Sequence, residues 1–314
     1  GLELDDVGRR QRELYYSGLI REAIWSYQLA DTRRRFAADK RGLLLELERR
    51  QSELVAASAA SQYSLLLLQM ELVDVEIAQQ DYLQEARRWL ERLGAADAVT
   101  VVPGNHDAYV AGALNRCLTH WIDYIVSDQT EISEISPGES ISTDALFPSL
   151  RVRGPVALIG VSTARPCSTF LAVGSVGQDQ LQRLRKLLIE TARQGLFRIV
   201  LIHHPPMPGI VSWRKRLTDA KAFRTIVQQY GAELILHGHA HRRSHEQMKT
   251  PDGQAHVIGI SSASAVAGDS KRRARYHLYH LSRVAGKLEA RVTVRSYKSK
   301  EQRFVTEKKM RLLW

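Results

Sequence analysis

An α/β layered domain preceded by a long helical segment is the architecture this sequence predicts, and three observations carry it. All nine prolines lie at or after Pro103, and residues 1–95 hold only a handful of glycines, so the first third lacks the punctuation of strands and turns. From Arg34 to Gly94 apolar residues recur at three-to-four spacing among strong helix formers. Beyond Ala98 short apolar runs alternate with amphipathic stretches, the pattern of strands interleaved with helices.

Taken in order, residues 13–36 read as helical with a break near Gly18, and 34–94 as one or two long helices that stop at Gly94, a residue suited to a helix end. The apolar positions do not hold a strict heptad for long, which suits a hairpin or a coiled-coil-like arm through which copies of the chain could associate. Residues 1–95 are therefore set apart as a helical arm, and 96–314 as the layered domain. In that domain the strands predicted are "AVTVVP" (98–103), "LRVRGPVALIGVS" (150–162), "FRIVLIHH" (197–204), "AELILHGH" (232–239), "AHVIGISS" (255–262), "RYHLYHLS" (275–282) and "KLEARVTVRSY" (287–297). The helices predicted are 111–127, 177–195 and 219–231. The last strands have short connections, so they are expected to pair antiparallel at one side of the sheet.

Composition narrows the setting. No apolar run reaches the roughly 18 residues of a membrane span. The start "GLELDDVGRR" has no secretory pattern, and Cys117 and Cys167 share no ligand spacing, so a reducing, cytoplasmic compartment is expected. The charge of +11 is uneven. Residues 1–95 carry 14 Lys/Arg against 16 Asp/Glu, and the remainder carry 31 against 18. A positive field over the second part favours an anionic substrate, nucleic acid or an acidic lipid surface, with a solvated basic surface as the plain alternative. Among basic residues, Arg165, Arg214, Lys215 and Arg216 are candidates for contact with an anionic group such as phosphate, with a solvated loop as the plain reading of each. No aromatic-and-basic module of a known nucleic-acid recognition type is visible, so nucleic acid is the weaker partner.

Chemistry concentrates at three apolar runs that end in histidine: "TVVPGNHD", "IVLIHHPP" and "LILHGHAH". Carboxyl ends of strands in open α/β sheets converge on one crevice, so Asn105, His106, His203, His204, His237, His239 and His241 are placed to meet. Neutral imidazoles with a carboxamide oxygen make a mixed shell suited to zinc, iron or manganese. Each run alone has a plain reading: GNHD as an ordinary turn, HHPP as a strand stopped by proline. Their joint occurrence is what points to a metal centre.

These blocks resemble the calcineurin-like metallophosphoesterases, in particular a bacterial cyclic-nucleotide phosphodiesterase-like branch. The matching residues are Gly104-Asn105-His106-Asp107, His203-His204-Pro205 and Gly238-His239-Ala240-His241, within a likeness that covers about residues 80–285. The resemblance implies a four-layer α-β-β-α sandwich and two divalent ions, Mn, Fe or Zn. It also implies roles: Asn105, His203 and His239 on the second metal, His241 on the first, His106 stabilising the transition state or protonating the leaving oxygen, and Asp107 orienting His106. The implied reaction is phosphodiester hydrolysis by a metal-bound hydroxide, a cyclic nucleotide being the favoured substrate.

Two family blocks are missing. No histidine precedes His106, so there is no D-x-H, and no Gly-Asp precedes Gly104. A helical arm stands where the first two strands of the sandwich are expected, and Asp74 is the one loose candidate for the bridging carboxylate. The alternative expectation is accordingly a catalytically inert scaffold or binding protein that oligomerises through the arm.

Overall fold

The computed structural model describes residues 43–57, 62–108, 118, 120–128, 146–167, 171–262, 273–284, 287–301 and 303–314. The chain divides into two compact units, Gly1–Leu93 and Gly94–Trp314. In the first, residues 43–56 form helix α1 and Gln62–Leu93 form helix α2, which ends immediately before Gly94. The predicted helix over 13–36 lies outside the described residues. Asp74 falls within α2, and its side chain is likewise outside them. Among the described residues no helix is long and apolar enough to cross a membrane.

Among the described residues the second unit holds nine strands in two sheets. Strands β1 (Ser149–Arg153), β2 (Val156–Val161), β3 (Phe197–Ile202), β4 (Leu234–His237), β5 (Ser244–Thr250) and β6 (Gly253–Gly259) form a six-stranded sheet in the order β1-β2-β3-β4-β6-β5. Its centre, β2-β3-β4-β6, is parallel, and both edges are antiparallel. Strands β7 (Arg275–Val284), β8 (Lys287–Lys298) and β9 (Arg303–Leu313) form a separate antiparallel sheet. The last strands therefore pair as expected, but in a sheet of their own.

Alternation along the central strands explains the layering. On β3, Phe197 and Ile199 join Leu234, Ile258, Ala290, Val292 and Leu312 in an apolar seam between the two sheets, whereas Val200 and Ile202 face the opposite way. There they meet helices α3 (Gln178–Arg193) and α4 (Ala220–Tyr230). Leu181, Leu184 and Leu188 of α3 and Phe223 and Val227 of α4 supply the helical side of that core. The spacing of these residues puts them on one stripe of each helix. A strand buried on both faces reads as a continuous apolar run, as "FRIVLI" does. Layers α, β and β thus lie within this unit; the fourth layer of the expected sandwich is not among its described elements.

Three expectations need correction. "LRVRGPVALIGVS" is two strands, not one, folded back at Gly154, whose φ of +57° suits the tight turn. "AVTVVP" is not a strand at all: residues 99–104 carry no ladder with β1 or with any other strand of the sheet. In its place Val101 N–H donates to the Tyr124 carbonyl, and the Arg151 guanidinium on β1 donates to the carbonyls of Ala96, Val99, Asp123 and Val126. Strands β5 and β9 form where none was expected. Of the predicted helix 111–127, residues 118 and 120–127 are described: Leu118, His120 and Trp121 are α-helical, and Ile122–Tyr124 follow as a 3-10 turn.

Candidate metal centre

The parallel pairing of β3 and β4 builds the site. Their register sets Ile202 beside His237, so the next residues, His203 and Gly238, emerge side by side, and Gly238 N–H donates to the His203 carbonyl at 3.1 Å. The GNHD loop reaches the same place from the 99–104 segment as a 3-10 turn, Asn105–Asp107. Three side chains converge there: His203 Nε2 lies 2.8 Å from Asn105 Oδ1 and 3.2 Å from His239 Nδ1, and His239 Nδ1 lies 3.1 Å from Asn105 Oδ1.

Those distances test the donor set. Neighbouring donors on an octahedral ion with bonds of roughly 2.1 Å sit about 3.0 Å apart, and on a tetrahedral ion about 3.4 Å. A triangle of 2.8, 3.1 and 3.2 Å, made of two imidazole nitrogens and a carboxamide oxygen, has the size and the chemistry for one face of a borderline divalent ion. Among the described residues no group of three or more His, Cys, Asp or Glu is arranged to hold a metal, because the third donor here is an amide and no described carboxylate joins the trio.

Electrostatics keep the imidazoles in the ligating form. Burial above all, then the neighbouring His239, His106, His241 and His237 rings, pushes the His203 pKa down to about 3. His239 is also pushed to about 3, by burial first and then by His204. Both are therefore neutral near pH 7, so a metal need not displace a proton from a charged ring.

Backbone conformation is specialised around the trio. Gly104 is required by close approach: a Cβ there would sit 2.8 Å from Cε1 and 2.9 Å from Nδ1 of His203. Its N–H donates to the Asp107 carboxylate at 2.8 Å, which closes the loop. His239 and His241 hold φ of +58° and +51°, left-handed values uncommon outside glycine that concentrate at functional sites. His106 is half-buried and His241 exposed, and both lie close enough to His203 to act on its charge.

The remaining histidines of the three runs are structural. His204 is fully buried, with Nδ1 2.7 Å from Thr163 Oγ1 and Nε2 3.1 Å from the Ala172 carbonyl, so both nitrogens are satisfied by a neutral ring. Its ring centroid lies 4.3 Å from that of His239, so it backs the ligand. His237 is buried against Gly259, with Nε2 3.3 Å from Ser244 Oγ. Of the tandem His203-His204, then, the first faces the trio and the second supports it. Sequence reasoning had no sign of Thr163 or Ala172, which are brought in only by the fold.

The α/β sheet thus brings imidazoles from two neighbouring strand ends, and a carboxamide from the Asn105–Asp107 turn, to one point. The calcineurin-like phosphoesterase family model matches residues 47–243, well over half of the chain, and the chain belongs to that family. The match takes in Asn105, His106, Asp107, His203, His239 and His241, and it begins inside α1, well before residue 96. No curated protein matches the chain. Among solved structures it is similar to a dimetal phosphatase from Danio rerio, at 11% identity and a TM-score of 0.44, over 88% of this chain and 89% of that one.

Proposed function

We propose that this chain is a metal-dependent phosphodiesterase whose ion is held by Asn105, His203 and His239. The observation that carries this reading is the 2.8–3.2 Å triangle of donor atoms drawn from three separate segments of a family member. A divalent ion bound there supplies Lewis acidity toward a phosphoryl oxygen and toward water. His241, in left-handed backbone and near enough to His203 to act on its charge, would serve a second ion.

The protein's own groups do the rest. His106 is on the same 3-10 turn as Asn105 and is near His203, so it stabilises charge on the reacting phosphoryl group or protonates the leaving oxygen. Asp107 fixes the turn that carries His106 by holding Gly104 N–H. Cations of the 214–216 stretch draw the anionic substrate in. A small phosphodiester, a cyclic nucleotide first, is the substrate. The test is hydrolysis of bis(p-nitrophenyl) phosphate with added Mn2+, expected to be lost in His106→Ala; no turnover by the wild type with any divalent metal overturns the reading.

One observation favours a second reading. In the helical unit Leu43, Leu47, Leu54, Leu66, Leu67 and Met70 are exposed, an apolar set that self-association through α1 and α2 would cover. On that reading the chain is a scaffold whose arm oligomerises. Sedimentation of the full chain decides it: a monomer at all concentrations removes the arm's role.

A further inference from the structure

Trp213 is the most exposed large apolar side chain among the described residues of the second unit, at 63%. Tryptophan ordinarily buries most of its surface, so a ring left open on an ordered backbone asks for a function. It opens a 3-10 turn, Trp213–Lys215, in a run of three cations. The guanidinium carbons of Arg214 and Arg216 lie 5.4 and 6.0 Å from the Trp213 ring centroid.

The turn is fixed and close to the metal centre. Ala172 N–H donates to the Arg214 carbonyl at 2.8 Å, Gly174 N–H to the Arg216 carbonyl at 3.2 Å, and Gly174 bridges to Leu217. Ala172 in turn accepts from His204, the ring that backs His239. Lys215 acts on the His239 ring through both its main chain and its ammonium. Trp213 is two residues from Lys215, at most roughly 7 Å of chain.

An open indole on a rigid turn, flanked by cations and adjoining a phosphoester site, matches a ligand that is aromatic at one end and anionic at the other. We infer that Trp213, with Arg214 and Arg216, is a stacking platform for the base of a nucleotidyl phosphoester. This rests on the phosphoesterase reading and narrows it: the base stacks on the indole, the guanidiniums contact phosphate oxygens, and esters without a base lose that contact. Base–aromatic stacking is sequence-tolerant, so the platform selects nucleotides over sugar phosphates without choosing among bases.

Two measurements on the full chain test it. The first compares kcat/KM, with Mn2+, for thymidine 5′-(p-nitrophenyl) phosphate and methyl p-nitrophenyl phosphate, which share a leaving group. The wild type should prefer the nucleoside ester by about tenfold or more, Trp213→Ala should collapse that ratio, and Trp213→Phe should retain most of it. The second compares binding of adenosine 5′-monophosphate and ribose 5-phosphate by calorimetry, which needs no turnover. A wild type with no preference in either assay, or a preference that survives Trp213→Ala, overturns the platform. If no ester is hydrolysed, the phosphoesterase reading fails alone and the binding comparison still decides for or against Trp213.

Discussion

His203 Nε2 lies 2.8 Å from Asn105 Oδ1, although 98 positions separate the two residues. A carboxamide oxygen and a neutral imidazole nitrogen at that distance, with His239 Nδ1 as the third corner, have the spacing that the proposed ion would need. Asn105→Ala or His203→Ala should each weaken Mn2+ binding by at least about tenfold, read by titration calorimetry, with the unfolding midpoint of the apo-protein little changed for Asn105→Ala. Wild-type affinity in both variants would remove the trio as the binding site.

Gly104→Ala should be far more damaging than its size suggests. The added methyl would sit 2.8 Å from His203 Cε1, so the ring or the loop must move, and overpacking of this kind costs about 1–3 kcal/mol. Activity should fall with it, because the displaced ring belongs to the proposed donor trio. A variant with unchanged urea midpoint and unchanged turnover would show that the loop has room.

His241 pays for its place in left-handed backbone. Glycine adopts φ of +51° without the steric cost, roughly 1–2 kcal/mol, that a side chain carries there, though it loses more chain entropy on folding. His241→Gly should therefore stabilise the fold by about 0.5–1 kcal/mol in urea unfolding while lowering activity. Equal loss of stability and activity would mean that the histidine side chain holds the loop between β4 and β5 together.

Acid sensitivity should show in the three-stranded sheet, away from the metal centre. Burial first, then Arg275, pushes His277 down to about 4, against an opposing pull from Glu307, and its Nδ1 lies 3.0 Å from the Tyr279 hydroxyl. In the unfolded chain the ring protonates near 6.5, so between pH 6.5 and 4 the unfolded state binds the extra proton. Stability conferred by His277 is thus whole above pH 6.5, drains as pH falls to about 4, and is lost below that. His277→Gln should flatten the fall in unfolding free energy over this window by on the order of 2 kcal/mol. An unchanged slope would mean that His277 titrates normally.

How much of this was legible in the sequence follows from which forces act locally. The β3 and β4 runs are apolar on both faces, so "FRIVLIHH" and "AELILHGH" announce strands, and parallel strand ends bring His203 and His239 together without further information. The edge strands were hidden for the opposite reason. Among the described β5 residues only Met248 is buried, and β9 carries Glu307, Lys308 and Lys309 in mid-strand, so neither shows an apolar run. "AVTVVP" has every local property of a strand, and what holds it instead, the Tyr124 carbonyl and the Arg151 guanidinium, comes from positions far along the chain that no local pattern displays. Trp213 carries no signal of its own in the sequence, although the adjoining Arg214, Lys215 and Arg216 do.

Arg151 does for the 96–104 segment what a strand partner would otherwise do. Its guanidinium is buried, Nε donates to the Val126 carbonyl at 2.8 Å, Nη1 to Val99 at 2.8 Å and to Ala96, and Nη2 to Asp123 at 2.6 Å. Burial first, then Arg153, lowers its pKa, but an arginine remains charged and so keeps every donor occupied. Arg151→Met preserves much of the length and removes all donors, leaving buried carbonyls unpaired at about 1–3 kcal/mol for each that water cannot reach. The expected outcome is a loss of about 3 kcal/mol in urea unfolding. Arg151→Lys should recover only part of it, since one ammonium cannot reach carbonyls spread around the edge of the planar guanidinium. Because the same segment leads into Gly104 and Asn105, Mn2+ affinity of the still-folded Arg151→Met protein should fall as well. Wild-type stability in that variant would mean that the 99–104 segment is held by its own packing of Val101 and Val102 against Ile125 and Phe147.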